Sequence, residues 1–190
     1  MLIVHAILEG LFANNNLMNN ALNELSEPQW GYEVADKVII EIRDETSPYI
    51  IITTDTAFLR VNSEIKMAVD CHTNASYYIV IRNRNHLETW SSIPVSFAGD
   101  TITYDFTTSA TKAYGDNQKQ VSQGKFAIMV GDANQDGIID LSDLVAMDTD
   151  LTMGNIGYIV NDLNGDGLVD LSDLVTIDEN LTNGAVVMTP

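Results

Sequence analysis

The chain has 190 residues and a formal net charge of −18, from 27 acidic and nine basic side chains. Nucleic acid and anionic membrane surfaces would repel such a chain, so the composition argues against both as partners. Every Lys and Arg lies between Lys37 and Lys125, and residues 131–190 carry twelve acidic groups and no basic one. Length and uneven charge together predict a larger domain over residues 1–130 and a smaller one over residues 131–190.

Short apolar segments with a period of two occupy the first of these domains. This alternation, with Asn, Asp, Gly and Pro between the segments, is typical of half-buried strands. Eight predicted strands cover residues 2–12, 37–44, 50–59, 64–69, 77–84, 93–97, 101–106 and 125–130. They predict an antiparallel β-sandwich, Ig-like or transthyretin-like, with Ile39, Ile51, Val80 and Phe106 in its core.

Neither a signal peptide nor a membrane span is predicted. The N-terminus lacks a basic region and a small-residue cleavage site, and charges interrupt the longest apolar run well below the roughly 20 residues that a membrane helix needs. If the protein is exported, we expect this chain to be a mature fragment of a longer one.

The second domain contains an internal repeat. Residues 131–151 align with residues 161–181 at twelve identities in 21 positions, an offset of 30 residues. The two repeats, over residues 131–154 and 161–184, each place an acidic loop before the sequence LSDLV and a short amphipathic helix. We expect the helices to pack on each other through a shared face made of Leu141, Leu144, Val145, Leu151, Leu171, Leu174, Val175 and Leu181.

Both acidic loops, DANQDGIIDLSD and DLNGDGLVDLSD, follow the EF-hand calcium pattern, with Asp in place of Glu at position 12. Alternate side chains of such a loop converge on one point, which suits a hard cation that needs six to eight oxygens. The predicted ligands are Asp132, Asn134, Asp136, Ile138, Asp140 and Asp143, and Asp162, Asn164, Asp166, Leu168, Asp170 and Asp173, with Ile138 and Leu168 acting through their carbonyls. The sequence therefore predicts two calcium ions, although the shorter Asp at position 12 keeps Mg²⁺ as an alternative.

Each repeat keeps only the helix that follows the loop, and in this it resembles the dockerin module. Dockerins carry duplicated loop–helix repeats that bind two calcium ions and dock onto cohesin domains of extracellular bacterial assemblies. The sandwich, with segments such as VIIEIRD and YYIVIRNRNHL, is similar to sandwiches that precede these modules in large secreted Bacteroidota proteins, and to the cellulosomal X-module. The resemblance implies a secreted or cell-surface protein whose partner contacts include Leu141, Ser142, Leu171 and Ser172. Acidic residues flank these contacts, where known dockerins carry Lys or Arg.

The sequence therefore predicts a non-catalytic, calcium-dependent interaction and anchoring module of a larger extracellular protein. Its partner is a cohesin-like protein or the chain's own sandwich. In the alternative hypothesis the sandwich binds a polysaccharide and the repeats are only a structural terminus. An exposed row of aromatic residues, drawn from Trp30, Trp90, Tyr77, Tyr78 and Tyr104, would favour that alternative. A third hypothesis makes the chain part of a hydrolase with its catalytic domain upstream.

No enzyme is predicted for the chain itself. It has no nucleophile elbow, no paired zinc histidines and no phosphate-binding glycine loop. Cys71 and His72 are neighbours on a strand and would point to opposite faces. Arg82 and Arg84, in the polar sequence RNRNH, are interpreted as outward-facing residues of one strand.

Overall fold

A computed structural model describes residues 1–14, 17–71 and 74–190, and within them the chain forms ten β-strands and two α-helices. The strands are β1 (Leu2–His5), β2 (Val34–Asp44), β3 (Ile51–Arg60), β4 (Glu64–Met67), β5 (Ser76–Arg82), β6 (Thr89–Trp90), β7 (Val95–Ser96), β8 (Ile102–Asp105), β9 (Lys119–Ser122) and β10 (Lys125–Ala127). The helices are α1 (Leu141–Met153) and α2 (Leu171–Thr182).

The strands form one curled sheet and a separate hairpin. The sheet order is β6-β5-β2-β3-β4-β1-β8, β7 pairs with β5, and β9 pairs with β10. The prediction of a mainly β, sandwich-like fold is confirmed, and each predicted segment contains a strand. The expectation of purely antiparallel pairing is wrong, because β1 runs parallel to β8 with Leu2 opposite Ile102. The short strands β6 and β9 are not among the predicted segments.

The main core lies inside the curl of the sheet, and three of its four predicted members are placed elsewhere. Phe106 is fully buried there, whereas Val80 is buried in a smaller cluster with Tyr78 and Trp90. Ile39 is exposed because the alternating residues of β2 turn Val38 and Ile40 inward instead. Ile51 is also exposed, next to a bulge where Ile42 pairs with Thr53 but Arg43 pairs with Ile51.

A further apolar cluster joins the helices to the sheet. Its buried members are Leu87, Val130, Ile139, Met147, Leu163, Val169, Ile177 and Ala185. Leu87 and Val130 precede residue 131, so side chains from both sides of the predicted domain boundary share this cluster. No helix within the described residues is long and apolar enough to cross a membrane.

The helices bury half of the predicted face, together with two residues that were not predicted to belong to it. Met147 and Ile177 are fully buried at equivalent positions, supported by half-buried Leu144, Leu151, Leu174 and Leu181. The remaining four residues of the predicted face, Leu141, Val145, Leu171 and Val175, are exposed. The buried stripe therefore follows positions 144, 147 and 151, the i, i+3, i+7 spacing of one helix face.

Candidate metal-binding loops

The acidic loops, residues 132–143 and 162–173, each end in the first turn of a helix. Asp140 is the N-cap of α1, and one of its side-chain oxygens accepts a hydrogen bond from the Ser142 N–H at 2.7 Å. The Asp140 N–H donates in turn to Asp143 at 3.0 Å, which completes a capping box. Asp170 caps α2 in the same way, with the same two distances. The repeated DLSD sequence therefore fixes where each loop stops and each helix begins.

The last aspartate of each loop also holds the beginning of that loop. Asp143 is fully buried, and its Oδ1 accepts hydrogen bonds from the N–H groups of Ala133 at 2.9 Å and Asn134 at 3.1 Å. Asp173 is equally buried and accepts from Leu163 and Asn164 at 2.8 and 3.1 Å. Positions 2 and 3 are therefore held against position 12 in both loops.

The middle of each loop turns through side chains and a glycine. In the first loop the Asn134 side chain accepts from the Asp136 N–H, and the Asp136 side chain accepts from the Ile138 N–H. The second loop repeats both hydrogen bonds with its equivalent residues. Gly137 and Gly167 have φ angles of 87° and 81°, in the region that favours glycine. Their N–H groups donate to the position-1 aspartates at 3.4 and 3.2 Å.

The predicted ligands fall into a buried and an exposed set. Asp132, Asp143, Asp162 and Asp173 are buried, Asn164 and Asp170 are half-buried, and Asn134, Asp136, Ile138, Asp140, Asp166 and Leu168 are exposed. Positions 1 and 12 therefore lie at the base of each loop, and most of the other ligands face solvent.

Burial makes the position-1 carboxylates unusually weak acids. It raises the pKa of Asp132 to about 6, and the nearby carboxylates of Asp143 and Asp136 add to the rise. It raises the pKa of Asp162 to about 7, against the lowering effect of the Arg84 guanidinium. Both loops therefore bury negative charge that hydrogen bonds alone do not stabilise fully.

The donor atoms of the loops suit a hard cation, although the side chains are not gathered around one point. Within the described residues, no three Asp, Glu, His or Cys side chains form a group that could hold a metal ion. Asn134 instead donates to Asp136 and to Ser142, and the second loop repeats this pair of bonds. Asp162 Oδ1, however, is buried without a hydrogen-bond partner. An unpartnered carboxylate oxygen among carboxylate, amide and carbonyl oxygens fits a cation of the calcium type.

The second loop lies against the N-terminal part of the chain. The Leu22 N–H donates to the Gly165 carbonyl at 2.9 Å, and a side chain at Gly165 would collide with Leu11. The first loop instead contacts the C-terminal tail, where the Val187 N–H donates to the Gly137 carbonyl at 2.8 Å. The two loops therefore share an internal structure but differ in surroundings.

Arg84 lies between the sheet and the second loop, and its predicted outward orientation is wrong. Its side chain is 11% exposed, 3.4 Å from Asp36 and 3.8 Å from Asp162. It also donates to the Ile159 carbonyl and stacks over the Tyr158 ring at 4.5 Å. Arg84 lies two residues beyond the end of β5, and residues 158–162 cover its side chain. Arg82 fits the prediction better, because it is 36% exposed and its nearest carboxylates, Glu41 and Glu88, are at 3.6 and 3.5 Å.

The predicted partner contacts are accessible. Leu141 and Leu171 are each 69% exposed, and Ser142 and Ser172 are exposed beside them. The structure therefore presents an exposed Leu–Ser pair at the start of each helix. Their role in binding stays a prediction.

The aromatic residues do not form the exposed row that would favour polysaccharide binding. Tyr77, Tyr78 and Trp90 are buried, and Tyr104 is half-buried with its hydroxyl donating to the Lys112 carbonyl. Trp30 is half-buried between Phe58 and Tyr158, and Lys37 lies over its ring.

Burial raises the pKa of the Cys71 thiol, which leaves it a weak nucleophile. His72, its sequence neighbour, lies outside the described residues.

Comparison with known proteins relates the chain to others through its fold alone. No protein family model and no curated protein sequence matches it. A chain in the crystal structure of a type II cohesin–X-dockerin complex from Acetivibrio cellulolyticus, with a mutated C-terminal interface, has a TM-score of 0.54 at 18% identity, over 97% of this chain and 96% of that one. A chain in the corresponding complex with a mutated N-terminal interface has a TM-score of 0.48 at 22% identity, over 78% of this chain and 81% of that one. The first of these similarities supports a common overall fold.

Proposed function

We propose that the chain is a non-catalytic, calcium-dependent protein–protein interaction and anchoring module of a secreted or cell-surface protein, with a cohesin-like partner. The observation that carries this proposal is the equal exposure of Leu141 and Leu171, both 69%, at matching positions of the two repeats. Each leucine is followed one helical turn later by an exposed valine, Val145 or Val175, and exposed apolar patches of this kind mark interaction sites more than single residues do. The fold shared with a chain of a cohesin–X-dockerin complex supports a protein partner of this kind.

Contacts between the repeats and the rest of the chain leave this surface free. The second half of α2 contacts residues outside the sheet: Glu179 pairs with Lys119 of the β9–β10 hairpin at 2.8 Å, and Asn180 donates to Glu9, which follows β1, at 2.6 Å. Leu171 and Val175, in the first half of α2, remain exposed. Intramolecular packing therefore uses other residues than the predicted partner contacts, which favours an external partner.

Calcium would be held by the predicted ligands of each loop, and its positive charge would compensate for the negative charge of the buried aspartates. Asp143 and Asp173, as residues of both loop and helix, would transmit that stabilisation to α1 and α2. Because Leu141 and Leu171 are the first residues of these helices, the partner surface would form only when the loops are ordered.

Binding to immobilised type I and type II cohesin domains, in calcium and in chelator, tests the proposal. We expect binding to a cohesin in calcium only, little loss in Leu141→Asp or Leu171→Asp, and complete loss in the double variant, because the repeats present two nearly equivalent faces. Leu25→Asp is a matched control, since Leu25 is 73% exposed on another part of the surface. Calcium-independent binding, or equal loss in the control, would contradict the proposal.

A further inference from the structure

Two buried asparagines occupy equivalent places beside the two loops. The carbonyls of Val130 and Val160 each lie two residues before a position-1 aspartate, and each accepts a hydrogen bond from an asparagine side chain. Asn180 Nδ2 donates to Val130 at 2.9 Å, and Asn85 Nδ2 donates to Val160 at the same distance. Asn85 Nδ2 also donates to the carbonyl of Asp162 at 3.1 Å. Both asparagines are 1% exposed, so neither contact is exchanged readily for water.

The two asparagines come from different parts of the chain. Asn180 belongs to α2, so the first loop is held by the helix of the second repeat. Asn85 belongs to the segment between β5 and β6, so the second loop is held by residues 1–130, the part of the chain that contains the sheet and is called the sheet domain below. Helix α1 has no equivalent side-chain donor for the second loop. The residue that matches Asn180 in the first repeat is Asp150, whose carboxylate cannot donate a hydrogen bond.

The contacts of Asp150 show that this position of α1 lies next to the start of the second loop. Its side chain accepts hydrogen bonds from Asn155 at 2.7 Å and from Asn161 at 2.5 Å. Asn161 is the residue between Val160 and Asp162, so α1 reaches the start of the second loop but only as an acceptor. Asn85 supplies the donor that this helix does not provide.

We propose that Asn85 and Asn180 are positioning residues, each for the metal affinity of one loop: Asn85 for the loop at 162–173 and Asn180 for the loop at 132–143. This inference rests on the proposed calcium function. Each asparagine fixes the backbone from which the position-1 aspartate projects, and that aspartate must point at the ion without further rearrangement. Because Asn85 belongs to the sheet domain, calcium affinity at the second loop depends on that domain being folded.

Asn85→Ala is a selective perturbation. It removes the two side-chain hydrogen bonds to the second loop, but it keeps the Asn85 carbonyl, which accepts from the Gly131 N–H at 2.8 Å at the start of the first loop. Asn180→Ala is the reciprocal change. Substituting residues that orient metal ligands typically lowers metal affinity about 10–100-fold.

The amide signals of Gly137 and Gly167 report on the two loops separately, because each N–H donates to the position-1 aspartate of its own loop. We would titrate the full chain with calcium and follow both signals by nitrogen-15 NMR. We expect Asn85→Ala to raise the calcium midpoint of Gly167 about 10–100-fold and to leave that of Gly137 unchanged, with Asn180→Ala giving the opposite pattern.

Equal shifts of both midpoints in either variant, or no shift at all, would overturn the inference, since both asparagines would then act only on general stability. If Asn85→Ala does not fold, the wild-type chain still decides: the Asn85 side-chain amide signals must move with the Gly167 titration, and signals that stay fixed would overturn it. If neither glycine of the wild-type chain responds to calcium, the proposed function itself fails, and this inference fails with it.

Discussion

Replacement of Arg84 by alanine should destabilise the protein far more than replacement of Arg82, although the two residues are separated by one position. Arg84 is 11% exposed and contacts Asp36, which is 1% exposed, at 3.4 Å. Removing one partner of a buried ion pair costs about 3–5 kcal/mol, because the other charge stays buried without compensation. Asp36 would retain hydrogen bonds from Tyr158 and Asn83, so we expect a loss near the lower end, about 3 kcal/mol.

Arg82→Ala is the matched control. Arg82 is 36% exposed, and its carboxylate neighbour Glu41 keeps a second ion pair with Arg43. An exposed ion pair contributes about 0–1 kcal/mol, so this variant should lose less than about 1 kcal/mol.

Urea denaturation in saturating calcium, followed by tryptophan fluorescence, measures both losses. With a urea m-value of about 2 kcal/mol/M, Arg84→Ala should lower the midpoint by about 1.5 M and Arg82→Ala by less than about 0.5 M. Similar shifts for the two variants would refute the reasoning, because they would mean that Arg84 is solvated as freely as Arg82.

Three further predictions concern the effect of chelation on the helices, the hydrogen exchange of the two loops, and the effect of pH on stability. Chelation of the full chain should abolish the helical circular dichroism of residues 131–190, because two short helices bury too little apolar area alone. The sheet should keep one cooperative thermal transition in chelator. A single transition that disappears on chelation would instead mean that the chain is one folding unit. In chelator, hydrogen exchange at Ala133 should accelerate more than at Leu163, because only the second loop has Arg84 beside it; equal acceleration would count against a role for Arg84. Burial, reinforced by the Arg84 charge, lowers the pKa of His86 well below 6.5. As the pH falls below 6.5, the unfolded chain therefore binds a proton that the folded chain does not. The stability that is present above pH 6.5 should fall as the pH is lowered. In saturating calcium His86→Gln should flatten this dependence of the urea midpoint on pH, and an unchanged slope would contradict it.

The sequence was most informative where the structure is local. The hydrogen bonds of each loop join residues within one stretch of twelve, such as Asp143 with Asn134, so residue type and spacing were sufficient to predict an acidic loop followed directly by a short helix. The strands followed in the same way from their period of two. The helix faces were less certain, because Val145 and Met147 are both apolar and only packing selects Met147 for burial.

Pairing and packing between distant segments could not be read from these patterns. The parallel pairing of β1 with β8 joins Leu2 to Ile102, and no local signal in either strand encodes it. Arg84 was predicted to face solvent because alternation along the predicted strand, residues 77–84, gives only the direction of a side chain. What that side chain meets is decided by residues 158–162, which lie about 75 positions further along the chain.

From the distribution of charge we expect the two proposed calcium loops to depend on a bound cation to different degrees. The sheet domain supplies two basic side chains to the acidic part of the chain: Arg84 approaches Asp162 at 3.8 Å, and Lys119 pairs with Glu179 at 2.8 Å. Within the described residues, none of the observed ion pairs reaches an aspartate of the first loop. Asp132 is nevertheless buried there, and its pKa is raised to about 6. At the first loop, therefore, no observed ion pair compensates for the buried charge, whereas at the second loop Arg84 offsets part of a stronger burial effect, which still raises the pKa of Asp162 to about 7.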